Sequence, residues 1–126
     1  MQIQAKVFNH PDGGNHVIMI ARGVLDTPGL IQMIGEVAAV SIVRPNCKIL
    51  IDLVDSECTL SPKEIHNLLA GSKPGFWPVQ SKVAFVSPLK DEEYVRLTDL
   101  SIVLASSGFR VAVFQGAKAA VDWLAT

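Results

Sequence analysis

The sequence predicts an α/β domain of order ββαβαβαβα, with four helices and a mainly parallel five-stranded sheet whose first strand lies antiparallel at the edge. Three observations predict it. Segments 17–21, 49–54 and 83–86 are apolar at odd and even positions alike, as strands covered on both faces are. Each is followed by a stretch of helical period, and clusters of Gly, Pro, Asn and Asp punctuate the chain between such elements. The 126 residues are 49% hydrophobic, which is enough for one core and one domain, residues 1–126.

Residues 2–8 alternate, with Ile3, Ala5 and Val7 on one face and Gln2, Gln4 and Lys6 on the other, so they predict a half-exposed edge strand. The turn cluster from Asn9 to Asn15 returns the chain as a second strand over 16–22. Thr27 is an expected N-cap with Pro28 just inside a helix reaching about Val43. The apolar stripe of that helix, Leu30, Ile31, Ile34, Val37, Ala38 and Ile42, is wide because Met33, Val40 and Val43 spread round it. The central strand KILIDLV follows over 48–54, then a polar connector, DSECTL.

The next helix carries a strong start signal. Ser61 stands as N-cap, Pro62 at the first helical position and Glu64 three residues on, which together make a capping box. Residues 71–80 are rich in breakers yet hold Phe76 and Trp77. A strand over 82–86 leads to a helix over 91–106, with Val95, Leu97, Leu100, Val103 and Leu104 expected inward and Gly108 as its terminator. A strand over 110–114 and a helix over 117–124 close the chain, with Ala120, Val121 and Leu124 facing the core.

Composition narrows the function classes. The net charge of −1 comes without a run of Lys and Arg, so nothing argues for nucleic acid or for an anionic lipid surface. Cys47 and Cys58 match neither CxxC nor a zinc pair and read as packing residues in a reducing compartment. The apolar stretch 30–43 is interrupted and too short to span a bilayer, and the N-terminus lacks a signal-peptide core, so the expected location is cytoplasmic. No G-x-S-x-G, Walker A, G-x-G-x-x-G or H-E-x-x-H occurs, and no cofactor or metal is implied.

The element order, the GVLD at Gly23–Asp26 and the strand KILIDLV resemble the STAS domain of anti-sigma-factor antagonists and sulfate transporters. The C-terminal half is similar to the SpoIIAA-like, STAS-related branch of small stand-alone proteins: KVAFV, a long helix, a strand ending in Val113-Phe114, and a helix closing in A-x-x-W-L at Ala120, Trp123 and Leu124. The resemblance implies strands in sequential order and, for the SpoIIAA-like branch, no phospho-switch and no established activity. In phosphorylated antagonists a serine at the start of the helix after the central strand accepts phosphate, and Ser61 occupies roughly that position. The surrounding TLSPKE departs from the family pattern, with no acidic residue directly before Ser61 and with Pro62 and Lys63 in place of small residues.

The candidate site residues follow. Ser61 is phosphoacceptor-like, although an N-cap serine already has a structural task worth about 1 kcal/mol. Asp26, Asp52 and Asp55 lie near strand ends that a parallel sheet brings to one rim, where carboxylates do acid–base work, hold a cation, or simply cap and turn the chain. His10, Asp12 and His16 share the hairpin, where turn chemistry is the plainer reading. Phe76 and Trp77, stiffened between Pro74 and Pro78, suit contact with a partner, as does the first helix around Met33 and Val37. Right-handed crossovers put the helices mostly on one sheet face, so the other is expected to need a loop, a second subunit or a greasy ligand. The expected function is therefore a non-enzymatic regulatory module acting by contact with another protein or with itself as a homodimer. The alternative is a carrier or sensor of a small hydrophobic, lipid-like molecule.

Overall fold

The computed structural model describes residues 1–9, 15–44, 46–70, 81–88, 90–106 and 109–126. Chain order is β1 (Gln2–Asn9), β2 (Asn15–Leu25), α1 (Thr27–Val43), β3 (Lys48–Asp52), β4 (Ser56–Cys58), α2 (Pro62–Ala70), β5 (Lys82–Val86), α3 (Asp91–Ser106), β6 (Arg110–Phe114) and α4 (Ala117–Leu124). The strands lie in the order β1-β2-β3-β5-β6, with β1 antiparallel to β2 and the other pairs parallel. The expected α/β architecture is present, with one addition. Ser56–Cys58, within the polar connector, pairs with Gly23–Leu25 as a sixth, short strand. Gly23 at φ +112° bends β2 into that pairing, a backbone region that strongly favours glycine.

Register sorts the strand side chains onto two faces. One face carries Val17, Met19, Ile49, Ile51, Val83 and Phe85, packed under Leu30, Met33, Ile34 and Val37 of α1, Ile65 of α2, and Leu97, Leu100 and Leu104 of α3. These helices lie in the connections β2 to β3, β3 to β5 and β5 to β6, each between neighbours in the sheet, so right-handed crossovers place all three on the same side.

On the opposite face, where a loop, a second subunit or a greasy ligand was expected, the chain's own α4 covers β3 and β5. Ala120 and Leu124 of α4 are buried there against Leu50, Ala84 and Val86, with Ile18, Phe114, Val121 and Trp123 packed around them. Helix α4 follows β6, the end of the described strand order, and does not lie in a connection between two of these strands, so crossover handedness does not bind it. It folds back across the face that the other helices leave bare. Lys82 fastens its end: Nζ donates to the Thr126 carbonyl at 2.9 Å and lies 5.0 Å from the centre of the Trp123 ring. A cation at a helix C-terminus and over an indole face is favourable on both counts. Partial burial and the neighbouring charges of Arg110 and Lys48 hold the Lys82 ammonium below the usual lysine range. Beyond the footprint of α4, the β1–β2 flank of this face is polar, with Gln2, Gln4, Lys6 and Arg22 exposed.

Two helix details also differ from expectation. Asp26, one residue before Thr27, caps α1 by accepting from the Gly29 N–H at 2.8 Å. Val95 points outward, and Glu93 takes a buried position on α3. No helix is long and apolar enough to cross a membrane, among the described residues.

Candidate functional site

The C-terminal ends of the parallel strands carry the polar groups of interest, where open α/β sheets commonly place ligands. Capping chemistry builds this rim. Ser61 Oγ accepts from the Glu64 N–H at 3.2 Å and donates to Glu64 Oε1 at 3.2 Å, while the Ser61 carbonyl accepts from Ile65 N–H at 3.2 Å. The second carboxylate oxygen of Glu64 accepts from Thr27 Oγ1 at 3.2 Å, which links the first turn of α2 to that of α1. A carboxylate thus already fills the electropositive space at the start of α2, and a phosphate on Ser61 would meet its charge.

The three rim carboxylates each have a local partner. Asp26 caps α1, Asp52 Oδ1 accepts from Val54 N–H at 3.0 Å in the turn after β3, and Asp55 lies 3.7 Å from the Nε of Arg22. That ion pair is exposed on both sides, and pairs of this kind are worth little. Beside it opens a crevice of about 620 Å³ lined by Gly23, Asp55, Glu57, Lys90, Glu92 and Arg96, among others. Its lining is charged, chemistry that suits a polar ligand better than a lipid tail. Ser56, also in the lining, donates its hydroxyl to the Leu53 carbonyl at 2.8 Å.

Glu93 and Arg96 were not legible as a pair in the sequence. Glu93 Oε2 accepts from the Cys58 N–H at 2.8 Å, and Arg96 Nη1 donates to the Cys58 carbonyl at 3.0 Å. One turn of α3 therefore grips both backbone groups of the last β4 residue, as a neighbouring strand would. Burial, then the charges of Glu93 and Glu64, push the Cys58 thiol up, against a Leu60 backbone hydrogen bond and Arg96. The protonated thiol thus contributes stability that is fully present below the ordinary value of 9.0 and is lost as pH rises through the folded value.

Of the expected contact residues, Phe76 and Trp77 lie outside the described residues, as do His10, Asp12 and Gly108. His16 is described and is buried. Met33 and Val37 are corrected: both are fully buried on the inner face of α1. The helix is apolar nearly all round, with Glu36 its one charged residue, so sequence period could not choose the inner side. Packing chose Gly29, Met33 and Val37, and an added Cβ at Gly29 would stand 2.8 Å from the Val24 carbonyl oxygen. What α1 presents outward is Ile31, Ile42 and Val43, the last two 80% and 76% exposed. Among the described residues no group of three or more His, Cys, Asp or Glu could hold a metal ion.

No family model matches the chain, and no curated protein matches it. Among solved structures it is similar to an uncharacterised protein of the DUF3478 family from Shewanella loihica, described as having a SpoIIAA-like fold. The TM-score is 0.57 at 22% identity, over 97% of this chain and 93% of that one. The fold is SpoIIAA-like, as the sequence resemblance implied.

Proposed function

We propose that this chain is a STAS-like regulatory module that acts by protein–protein contact and carries no chemistry of its own. The observation behind this reading is the outer face of α1. Ile42 and Val43 remain mostly exposed although the same helix buries Leu30, Met33, Ile34 and Val37 beneath it. Nearby, Ala39, Val40, Val43 and Arg44 line a shallow, apolar depression of about 250 Å³. Scattered exposed apolar residues are ordinary, but a groove beside two of them on one helix end is how a contact site is built. Phe76 and Trp77 are proposed to add an aromatic contact from residues 71–80, and Ser61, whose cap meets the first turn of α1, to form a separate contact about 22 Å away along that helix.

A photo-crosslinking residue placed at Ile42 in cells tests the reading. A discrete adduct is expected from that position and none from Asp122 on the exposed side of α4. An Ile42 position that yields no adduct would remove α1 as the contact surface.

A further inference from the structure

Face sorting by register gathers cations that are dispersed in sequence. Lys48, Lys82 and Arg110 are consecutive partners across three strands, and so lie in one row on the α4 side of the sheet, which the buried His16 continues on β2. In the register, Lys6 opposes Ile18 and Gln2 opposes Arg22, so Lys6 and Arg22 stand on the same face. Carboxylates at this end of the picture are Asp52, opposite Ile20, and Asp55 beside Arg22. The β1–β2 flank left bare by α4 is two strands wide, about 10 Å, which is the width of one helix. Its floor is half-buried Ile20 together with the part of Ile18 that the α4 cluster leaves open, and exposed Gln4, Lys6 and Arg22 surround them.

Helix α3 carries the complement. Glu92, Val95, Asp99 and Ile102 recur at intervals of three and four residues, so they share one helical face. All four are exposed, Val95 at 56% and Ile102 at 61%. The acids on this stripe are about 10 Å apart along the helix, and Lys6 and Arg22 about 13 Å apart along the sheet, within reach of long side chains. Apolar faces apolar and acid faces base, while each surface alone leaves its grease in water.

We infer that the bare β1–β2 face receives the outer face of α3 from a second copy of this chain, with Glu92 and Asp99 against Lys6 and Arg22 and with Val95 and Ile102 over Ile18 and Ile20. The two surfaces differ, so the contact is head-to-tail and leaves a free face at each end of a pair. This rests on reading the domain as a contact module and names one of its partners.

Sedimentation of charge-reversed variants tests it. The wild-type chain is expected to gain mass with concentration and to lose it at about 1 M salt, where screening acts over about 3 Å. Lys6→Glu with Arg22→Glu breaks the sheet surface, and Glu92→Lys with Asp99→Lys breaks the helix surface. Each variant alone should sediment as a monomer. Mixed together they should associate again, because the intact helix surface of one meets the intact sheet surface of the other and the two reversed surfaces also carry opposite charge. A chain carrying all four reversals should associate again, which a merely misfolded variant cannot do. A wild-type chain that stays monomeric, variants that each still dimerise, or a mixture that stays monomeric would overturn the inference. Monomers throughout, with the Ile42 adduct still formed, would overturn self-docking alone and leave the α1 reading standing.

Discussion

Replacing Glu93 by leucine is expected to cost about 2–3 kcal/mol of stability, although the residue is an acid in the first turn of a helix and would ordinarily be taken for a surface group. The carboxylate accepts the buried Cys58 N–H at 2.8 Å. Leucine leaves the donor unsatisfied and removes the anion beside Arg96, whose Nη1 lies 3.7 Å from Glu93 Oε1. A domain of this kind holds about 5–15 kcal/mol in all, so the loss is a large fraction. Thermal unfolding monitored by circular dichroism should show a midpoint lower by about 10 °C. Glu93→Gln keeps an acceptor of nearly the same shape and should recover more than half of the difference. Equal losses in both variants would mean that packing, and not the hydrogen bond, holds β4 to α3.

Ala120→Asp should be more damaging, at about 3–5 kcal/mol, the range for an uncompensated charge in a buried site. Ala120 has no exposed surface, and its neighbours across the face are Leu50, Ala84 and Val86. A carboxylate there either goes unsolvated or lifts α4 from the sheet. Lifting α4 exposes the second face, so the variant should bind a hydrophobic dye that the wild type ignores. Lys118→Asp, on the exposed side of the same helix, changes charge without that burial and should stay within about 0.5 kcal/mol of wild type. A stable, dye-silent Ala120→Asp protein would show that α4 does not lie where it is placed.

Most of the fold was legible because local signals agreed with one another. The doubly apolar strands, the Ser61 capping box and the alternation of Gln2, Ile3 and Gln4 each have a single good structural solution. The A-x-x-W-L closure was also legible as a packed helix face, and Ala120 and Leu124 are the residues it buries. Which sheet face it packs on was not legible, because sequence period fixes the inward side of a helix and says nothing of which side of a sheet it lies on. The inner side of α1 was hidden for the opposite reason: too many of its positions are apolar. Strand β4 rests on backbone pairing over three residues, SEC, which leave no side-chain period to read. The Glu93 grip depends on residues 35 apart in the chain, and the cation row on partners from three strands. Such groupings exist only once register is set.

The central claim is about where the unsatisfied apolar surface lies: on the outer faces of α1 and α3, and not on the sheet beneath α4. Relaxation of methyl resonances by a soluble gadolinium chelate measures this residue by residue. Strong broadening is expected at Ile42 and Val43, and at Val95 and Ile102 in the chain kept monomeric by Lys6→Glu with Arg22→Glu, with Leu50 and Leu124 sharp under the same conditions. Leu50 and Leu124 methyls that broaden as readily as Ile42 would place the open apolar surface on the sheet and contradict the account.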